Sequence, residues 1–80
     1  MKTVEQLRSD LNDIMKDAGS ILGIMEAVSR KVEMSVQNIY RIAKNERTTL
    51  DSDKNRVTIK AIIKAYEVEI KKHVAKLNKI

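Results

Sequence analysis

The residues with the clearest chemical potential are side-chain amides and cations within one short segment. At the helical step of 100° per residue, Gln37, Arg41 and Lys44 share one face, opposite the apolar Ile39 and Ile42. A side-chain amide can form paired hydrogen bonds with adenine, and a guanidinium group can do so with guanine. The same stripe is also typical of an ordinary solvated helix face. The surrounding sequence must therefore decide between the two interpretations.

Enzymatic chemistry has little support in the sequence. His73 is the only histidine, and no nucleophile or carboxylate stands at a supporting helical position. Residues 51–55, DSDKN, imitate the first ligands of a calcium loop, but the sixth position is Arg56 and the twelfth is Ile62. Cysteine is absent, which excludes disulfides and Cys zinc sites. We expect no catalytic residue, metal, cofactor or small-molecule substrate, and the chain is not predicted to be an enzyme.

The composition favours one small domain with an anionic partner. The chain has 80 residues, of which 42% are hydrophobic and 34% charged, so residues 1–80 are expected to form a single domain. The net charge of +5 favours nucleic acid or a membrane surface as the partner. No apolar run approaches the roughly 18 residues of a membrane span. The polar start, MKTVEQLRSDL, does not resemble a secretory signal, so we expect a cytoplasmic protein.

Hydrophobic spacing predicts an all-α bundle of four or five helices. The first helix is predicted over residues 3–17, where Thr3 and Gln6 have the form of a capping box. A second is expected from a Ser20 cap to about Val32, although Gly23 can instead mark a later start near Ile24. The predicted core positions of the first helix recur every three or four residues: Val4, Leu7, Leu11, Ile14 and Met15.

Two further helices complete the bundle. Ser35 is a good N-cap for a third helix over residues 36–45. The polar segment 45–55 is predicted to be a loop, and the fourth helix is expected over about 56–78, capped by Asp53 or Asn55. The apolar stripe of this last, long helix again alternates spacings of four and three residues, and Ile62 and Val74 widen it. Its members are Ile59, Ile63, Tyr66, Ile70, His73, Leu77 and Ile80.

Residues 25–47, MEAVSRKVEMSVQNIYRIAKNER, have the pattern of a helix-turn-helix. Two short helices are joined by a three-residue turn, and the small Ser29 lets them cross closely. Together with residues 58–66, TIKAIIKAY, this stretch resembles the Cro and lambda-repressor-like family, also called the XRE type. The family's helix after the recognition helix commonly reads Thr-Leu-x-Lys-Ile-Ala-x-Ala-Leu. The resemblance spans roughly residues 20–66.

Three departures from the family pattern have structural consequences. The first turn usually has Gly where this chain has Glu33, which must accept a left-handed conformation at a cost of about 1 kcal/mol. The loop after the third helix is longer than usual and lacks the usual Gly and Pro. The family usually starts a fifth helix after the position of Tyr66, whereas residues 67–69 here continue the helical pattern.

The resemblance implies that the third helix, about 36–45, lies in the major groove of double-stranded DNA. By position, the residues that would contact bases are Val36, Gln37, Asn38 and Arg41. Those that would contact phosphates are Lys44, Arg47, Thr48 and Thr49. The implied function is a sequence-specific transcriptional regulator, such as a phage or mobile-element repressor or an antitoxin.

The C-terminal extension, residues 67–80, is longer than the core domain 1–66 requires. Its apolar edge would be left in water, and burying one such side chain contributes about 1.5–3 kcal/mol. We therefore expect a homodimer whose interface includes Ile70, His73, Val74 and Leu77. The alternative is a bend near Glu67 that folds the tail back onto its own core.

Two other classes of function remain open at this stage. One is a helical protein-interaction module, antitoxin-like or structural, whose apolar helix-4 stripe binds another protein. The other is a non-specific basic DNA-binding protein that acts by charge alone. Binding to any DNA without a preferred site would favour the second of these, and no DNA binding at low salt would favour the first.

Overall fold

The computed structural model describes residues 2–44 and 51–78, with side chains as far as residue 76. In those ranges the chain is all-α, as predicted, and forms four helices. They are α1 (Val4–Asp17), α2 (Ile24–Val32), α3 (Val36–Lys44) and α4 (Asp53–Asn78). Helices α1 and α2 pack against α4, and α3 packs against α1 and α2. No helix in the described part of the chain is long and apolar enough to cross a membrane.

Helix α1 begins with the capping box that the sequence predicts. The Thr3 hydroxyl accepts from the Gln6 backbone N–H at 3.2 Å, and the Gln6 side chain accepts from the Thr3 N–H at 2.9 Å. The helix starts at Val4 and ends at Asp17, within one residue of the predicted start. Two otherwise unpaired donors of the first turn are thereby satisfied.

Helix α2 starts at Ile24, so the predicted Ser20 cap is wrong and the later start is confirmed. Gly23 stands at the N-cap in a left-handed conformation, with φ at 79°. A right-handed helix cannot continue through that conformation, which glycine adopts without steric cost. The preceding turn is held by the Ile21 N–H, which donates to the Ala18 carbonyl at 3.0 Å.

Helix α4 starts three residues earlier than predicted, and neither Asp53 nor Asn55 is its cap. Ser52 is the cap, because its hydroxyl accepts from the Asn55 N–H at 3.3 Å and its carbonyl accepts from the Arg56 N–H at 3.0 Å. Asp53 becomes the acidic residue of the first turn, where it complements the helix dipole. The 26-residue helix, about 39 Å long, continues through Glu67. The alternative of a bend there with a folded-back tail is therefore wrong.

The four helices share one hydrophobic core. All three of the fully buried α1 side chains belong to the predicted stripe, and Ile39 and Ile59 are likewise buried as predicted. The core consists of Val4, Leu7, Leu11, Ala18, Ile24, Val28, Ile39, Ala43, Ile59, Ile62, Ala65 and Tyr66. Four further residues of the predicted apolar stripes are partly buried against it: Ile14, Met15, Ile63 and Ile70. Helix α3 is thereby fixed by its apolar side, and its opposite side is left in solvent.

Candidate nucleic-acid interface

The start of α3 is set by Ser35, as the sequence predicts. The Ser35 hydroxyl accepts from the Asn38 backbone N–H at 3.1 Å, and its carbonyl accepts from the Ile39 N–H at 3.1 Å. A serine at this position satisfies a donor that the first turn of a helix would otherwise leave unpaired. The cap fixes where α3 begins and therefore which side chains stand near its N-terminus.

The exposed side of α3, here called its outer face, consists of Gln37, Tyr40, Arg41 and Lys44. The opposite side is anchored by Ile39 and Ala43, which are buried in the core. Three of the predicted DNA-contacting residues thus lie together on the outer face. The other two predicted base-contacting residues, Val36 and Asn38, are half-buried at the N-terminal edge of the helix.

Within the described residues, the two cations of the outer face form no ion pair with a carboxylate. None of the ion pairs formed within residues 2–44 and 51–76 includes Arg41 or Lys44. The Lys44 ammonium lies 5.4 Å from the centre of the Tyr40 ring, a cation–π contact that contributes about 0.5–1 kcal/mol at an exposed site. The guanidinium of Arg41 is therefore available to an external acceptor, and Lys44 is held close to the helix surface.

The turn between α2 and α3 adopts the left-handed conformation expected at Glu33, with φ at 56°. The Glu33 N–H donates to the Ser29 carbonyl, and the Met34 N–H donates to the same oxygen at 3.1 Å. The Ser29 hydroxyl donates in turn to the Met34 carbonyl. Ser29 therefore does more than leave room for a close crossing, because its hydroxyl also ties the turn to α2.

Two side chains of α1 hold the C-terminal end of α3. Arg8 Nε donates to the Ile42 carbonyl at 3.2 Å, and Asn12 Nδ2 donates to the Ala43 carbonyl at 2.7 Å. The last carbonyls of a helix lack partners from its own later turns, so donors from another helix can satisfy them. The sequence analysis missed both residues. Their only signal was a four-residue spacing along α1, which places them on one side of that helix.

Where the described chain resumes after the 45–50 segment, it is tied to the start of α1. Asp51 Oδ1 accepts from the Val4 N–H at 3.1 Å and from Arg56 Nη1 at 2.6 Å. The backbone hydrogen bond from Val4, with the Arg56 guanidinium, lowers the pKa of Asp51 below its ordinary value. The carboxylates of Asp53 and Asp51 raise the pKa of Arg56 in turn. The two acids of the calcium-like stretch are thus paired with a guanidinium.

The remaining predicted phosphate contacts, Arg47, Thr48 and Thr49, lie outside the described residues, as does the Leu77 side chain. Of the other predicted interface residues, Ile70 packs against the core and His73 is half-buried. Val74 is 46% exposed. Beside this end of α4, the Leu22 side chain is fully exposed, and Leu22 and His73 line the same shallow groove. The sequence analysis did not single out Leu22.

The fold and this surface together define a small all-α protein with an exposed, cation-bearing helix face. Compared with known proteins, the chain matches no family model, no curated protein and no solved structure at a significant level.

Proposed function

We propose that this chain is a sequence-specific DNA-binding transcriptional regulator that presents α3 to the major groove of double-stranded DNA. One observation carries the proposal: the outer face of α3 combines an amide, Gln37, with the guanidinium of Arg41 on a helix anchored by its other side. That guanidinium forms no ion pair with any residue that the structure describes. Both groups form paired hydrogen bonds with base edges. The major groove is about 12 Å wide and admits one helix.

Base reading is assigned to Gln37 in the first turn of α3 and to Arg41, one turn further along the helix. Arg41 is proposed to bond guanine O6 and N7, and Gln37 to bond adenine N6 and N7. Val36 and Asn38 are assigned secondary roles at the groove edge, since both are half-buried. Val36 would contact a thymine methyl group, and Asn38 an adenine.

Phosphate binding is assigned to Lys44, at the C-terminal end of the same helix, and to Arg47, Thr48 and Thr49 beyond it. Neutralising phosphates supplies affinity without sequence preference, whereas base contacts supply specificity. The bonds from Arg8 and Asn12 hold the end of α3 against α1. Lys44 is thereby kept at a fixed position relative to the base-contacting residues. The proposal includes no catalytic step, cofactor or small-molecule substrate.

The acting form is proposed to be a homodimer. A single helix-turn-helix rarely binds tightly, and a two-fold dimer spans half-sites about 34 Å apart. Ile70, His73, Val74 and Leu77 are the proposed interface, and the exposed Leu22 extends it. A regulator built in this way acts in the cytoplasm as a repressor, because a dimer seated on its operator blocks other proteins from the same DNA.

A second candidate function has one observation in its favour. Leu22 and Val74 expose apolar surface away from α3, as a helical module that binds another protein would. Such a module would need neither the amide nor the cations of the outer face. The first proposal accounts for both surfaces, with the apolar one used for self-association.

The test is a binding selection on random double-stranded DNA with the full chain. The proposal predicts enrichment of a two-fold symmetric site whose halves are about one helical turn apart. Binding without any enriched sequence would favour a non-specific basic protein. Absence of binding at low salt would favour the protein-interaction module.

A further inference from the structure

A cavity of about 370 Å³ lies behind the outer face of α3. It is open to solvent on one side and is lined by the end of α1, the turn before α2 and residues Tyr40, Lys44 and Tyr66. Ligand pockets in proteins have volumes of roughly 300–1,000 Å³. The cavity is therefore large enough for a small organic molecule.

One wall of the cavity is apolar and adaptable. Met15, Ile24 and Met25 line it, and methionine side chains adjust readily to the shape of a ligand. Tyr66, which is 1% exposed, donates its hydroxyl hydrogen to Met25 Sδ. A thioether is a weak acceptor. An oxygen brought by a ligand is a better partner, so the buried phenol can gain from an occupant of the cavity.

The phenol remains a donor at neutral pH. Burial raises the pKa of Tyr66 to about 12, with smaller contributions from the neighbouring Tyr40 and Glu26. Two lysines, Lys16 and Lys44, are among the residues that line the cavity, against one acidic residue, Glu26. None of these three forms an ion pair within the described ranges. The excess of cationic and neutral donors favours an anionic occupant.

We propose that this cavity binds a small organic carboxylate with an apolar body. The apolar body lies against the methionines, and the carboxylate accepts from the donors that Lys44 and Tyr66 contribute. Because Lys44 also belongs to the outer face of α3, the bound ligand would compete with a DNA phosphate for it. That consequence rests on the proposed function, whereas ligand binding itself does not.

The test titrates the ¹⁵N-labelled full chain with 3-phenylpropionate in the absence of DNA and follows its amide signals. The expected result is saturable shifts at residues around the cavity, such as Gly19, Ile24 and Lys44, at millimolar concentrations. The neutral analogue 3-phenylpropanol has the same apolar body and should bind about tenfold more weakly. Since no DNA is present, this result is independent of whether α3 reads sequence.

Substitutions of single residues test which side chains contact the ligand. Lys44→Gln and Tyr66→Phe should each weaken binding of 3-phenylpropionate about three- to tenfold. Lys60→Gln, an exposed lysine on the α1–α4 side, is the matched control and should leave binding unchanged. Lys44 is exposed, so its variant decides the outcome even if Tyr66→Phe fails to fold. The proposal is overturned if shifts do not saturate by about 10 mM, if the alcohol binds as tightly, or if Lys60→Gln weakens binding equally.

Discussion

Asn12 Nδ2 donates to the carbonyl oxygen of Ala43 at 2.7 Å, and this bond joins α1 to the last turn of α3. The same nitrogen donates to the Arg8 carbonyl, one turn earlier in its own helix, at 2.9 Å. Asn12 is therefore held by α1 while it holds α3. The orientation of the outer face thus depends on a side chain that is not part of that face.

Replacing Asn12 with alanine should lower the free energy of unfolding by about 1 kcal/mol, because the Ala43 carbonyl loses its donor. For a domain of this size the melting temperature should fall by about 4–8 °C. Thermal unfolding followed by circular dichroism measures the change. Ser9→Ala, at an exposed neighbouring position of α1, is the control and should not lower stability. Equal melting temperatures for the Asn12 variant and the parent would show that the bond contributes nothing.

The paired Asp51 carboxylate should make the stability of the fold depend on pH. Its pKa in the folded chain lies below the ordinary value of 3.8, chiefly because of the bond from the Val4 N–H. Its contribution to stability is therefore complete above that ordinary value and is lost as the pH falls through the folded pKa. Asp51→Asn should melt at a lower temperature than the parent at pH 7, and the difference should shrink in acid.

Melting curves from pH 7 down to about pH 2 measure this effect. The control is Asp13→Asn, an exposed α1 carboxylate that forms no ion pair within the described residues. A stability difference between parent and Asp51→Asn that stays constant across the whole pH range would be inconsistent with the paired carboxylate.

The proposed phosphate contact of Lys44 should contribute equally to the affinity for every DNA sequence. Lys44→Gln removes one proposed phosphate contact, so affinity should fall about equally for all duplexes, and the slope of log K against log salt should decrease in magnitude by about one. Fluorescence anisotropy at several salt concentrations measures the slope. Lys64→Gln, an exposed lysine of α4, is the control and should leave the slope unchanged. A changed base preference with an unchanged slope would contradict the phosphate assignment.

Two exposed valines of α4 provide a test of the proposed dimer interface, because one lies within it and the other lies outside it. Val74 is 46% exposed at its C-terminal end, and Val57 is 66% exposed near its start. We expect Val74→Asp to shift the chain to monomer, because a charge would be buried in the interface. Val57→Asp should leave the dimer intact. Sedimentation velocity over a range of concentrations distinguishes these results, and a parent chain that is monomeric throughout would exclude the dimer.

Features set by nearby residues could be predicted from the sequence. The Thr3 and Gln6 capping box, the Ser35 cap and the left-handed Glu33 each depend on residues within one or two helical turns. The long α4 follows from a stripe that no residue interrupts. Ser52 was missed because several residues of the polar stretch 51–55 could each cap α4, and only the folded backbone selects one of them.

Features that join distant parts of the chain could not be predicted. Asn12 and Ala43 are 31 residues apart, and Val4 and Asp51 are 47 apart. No local periodicity relates such pairs, because their contact depends on how the helices pack. The cavity could not be predicted either, because it also results from how the helices pack. Tyr66 was correctly expected on the apolar side of α4, but its contact with Met25 required the relative placement of α2 and α4.

The most direct test of the central claim, that the outer face of α3 reads DNA sequence, compares affinities for the selected duplex and a scrambled duplex at one salt concentration. Arg41→Ala should lose roughly 1–3 kcal/mol of binding free energy on the selected duplex, and considerably less on the scrambled one. The matched control Lys60→Ala, on the exposed surface of α4, should keep the parent's ratio of the two affinities. A parent-like ratio for Arg41→Ala would contradict the claim that α3 supplies the specificity.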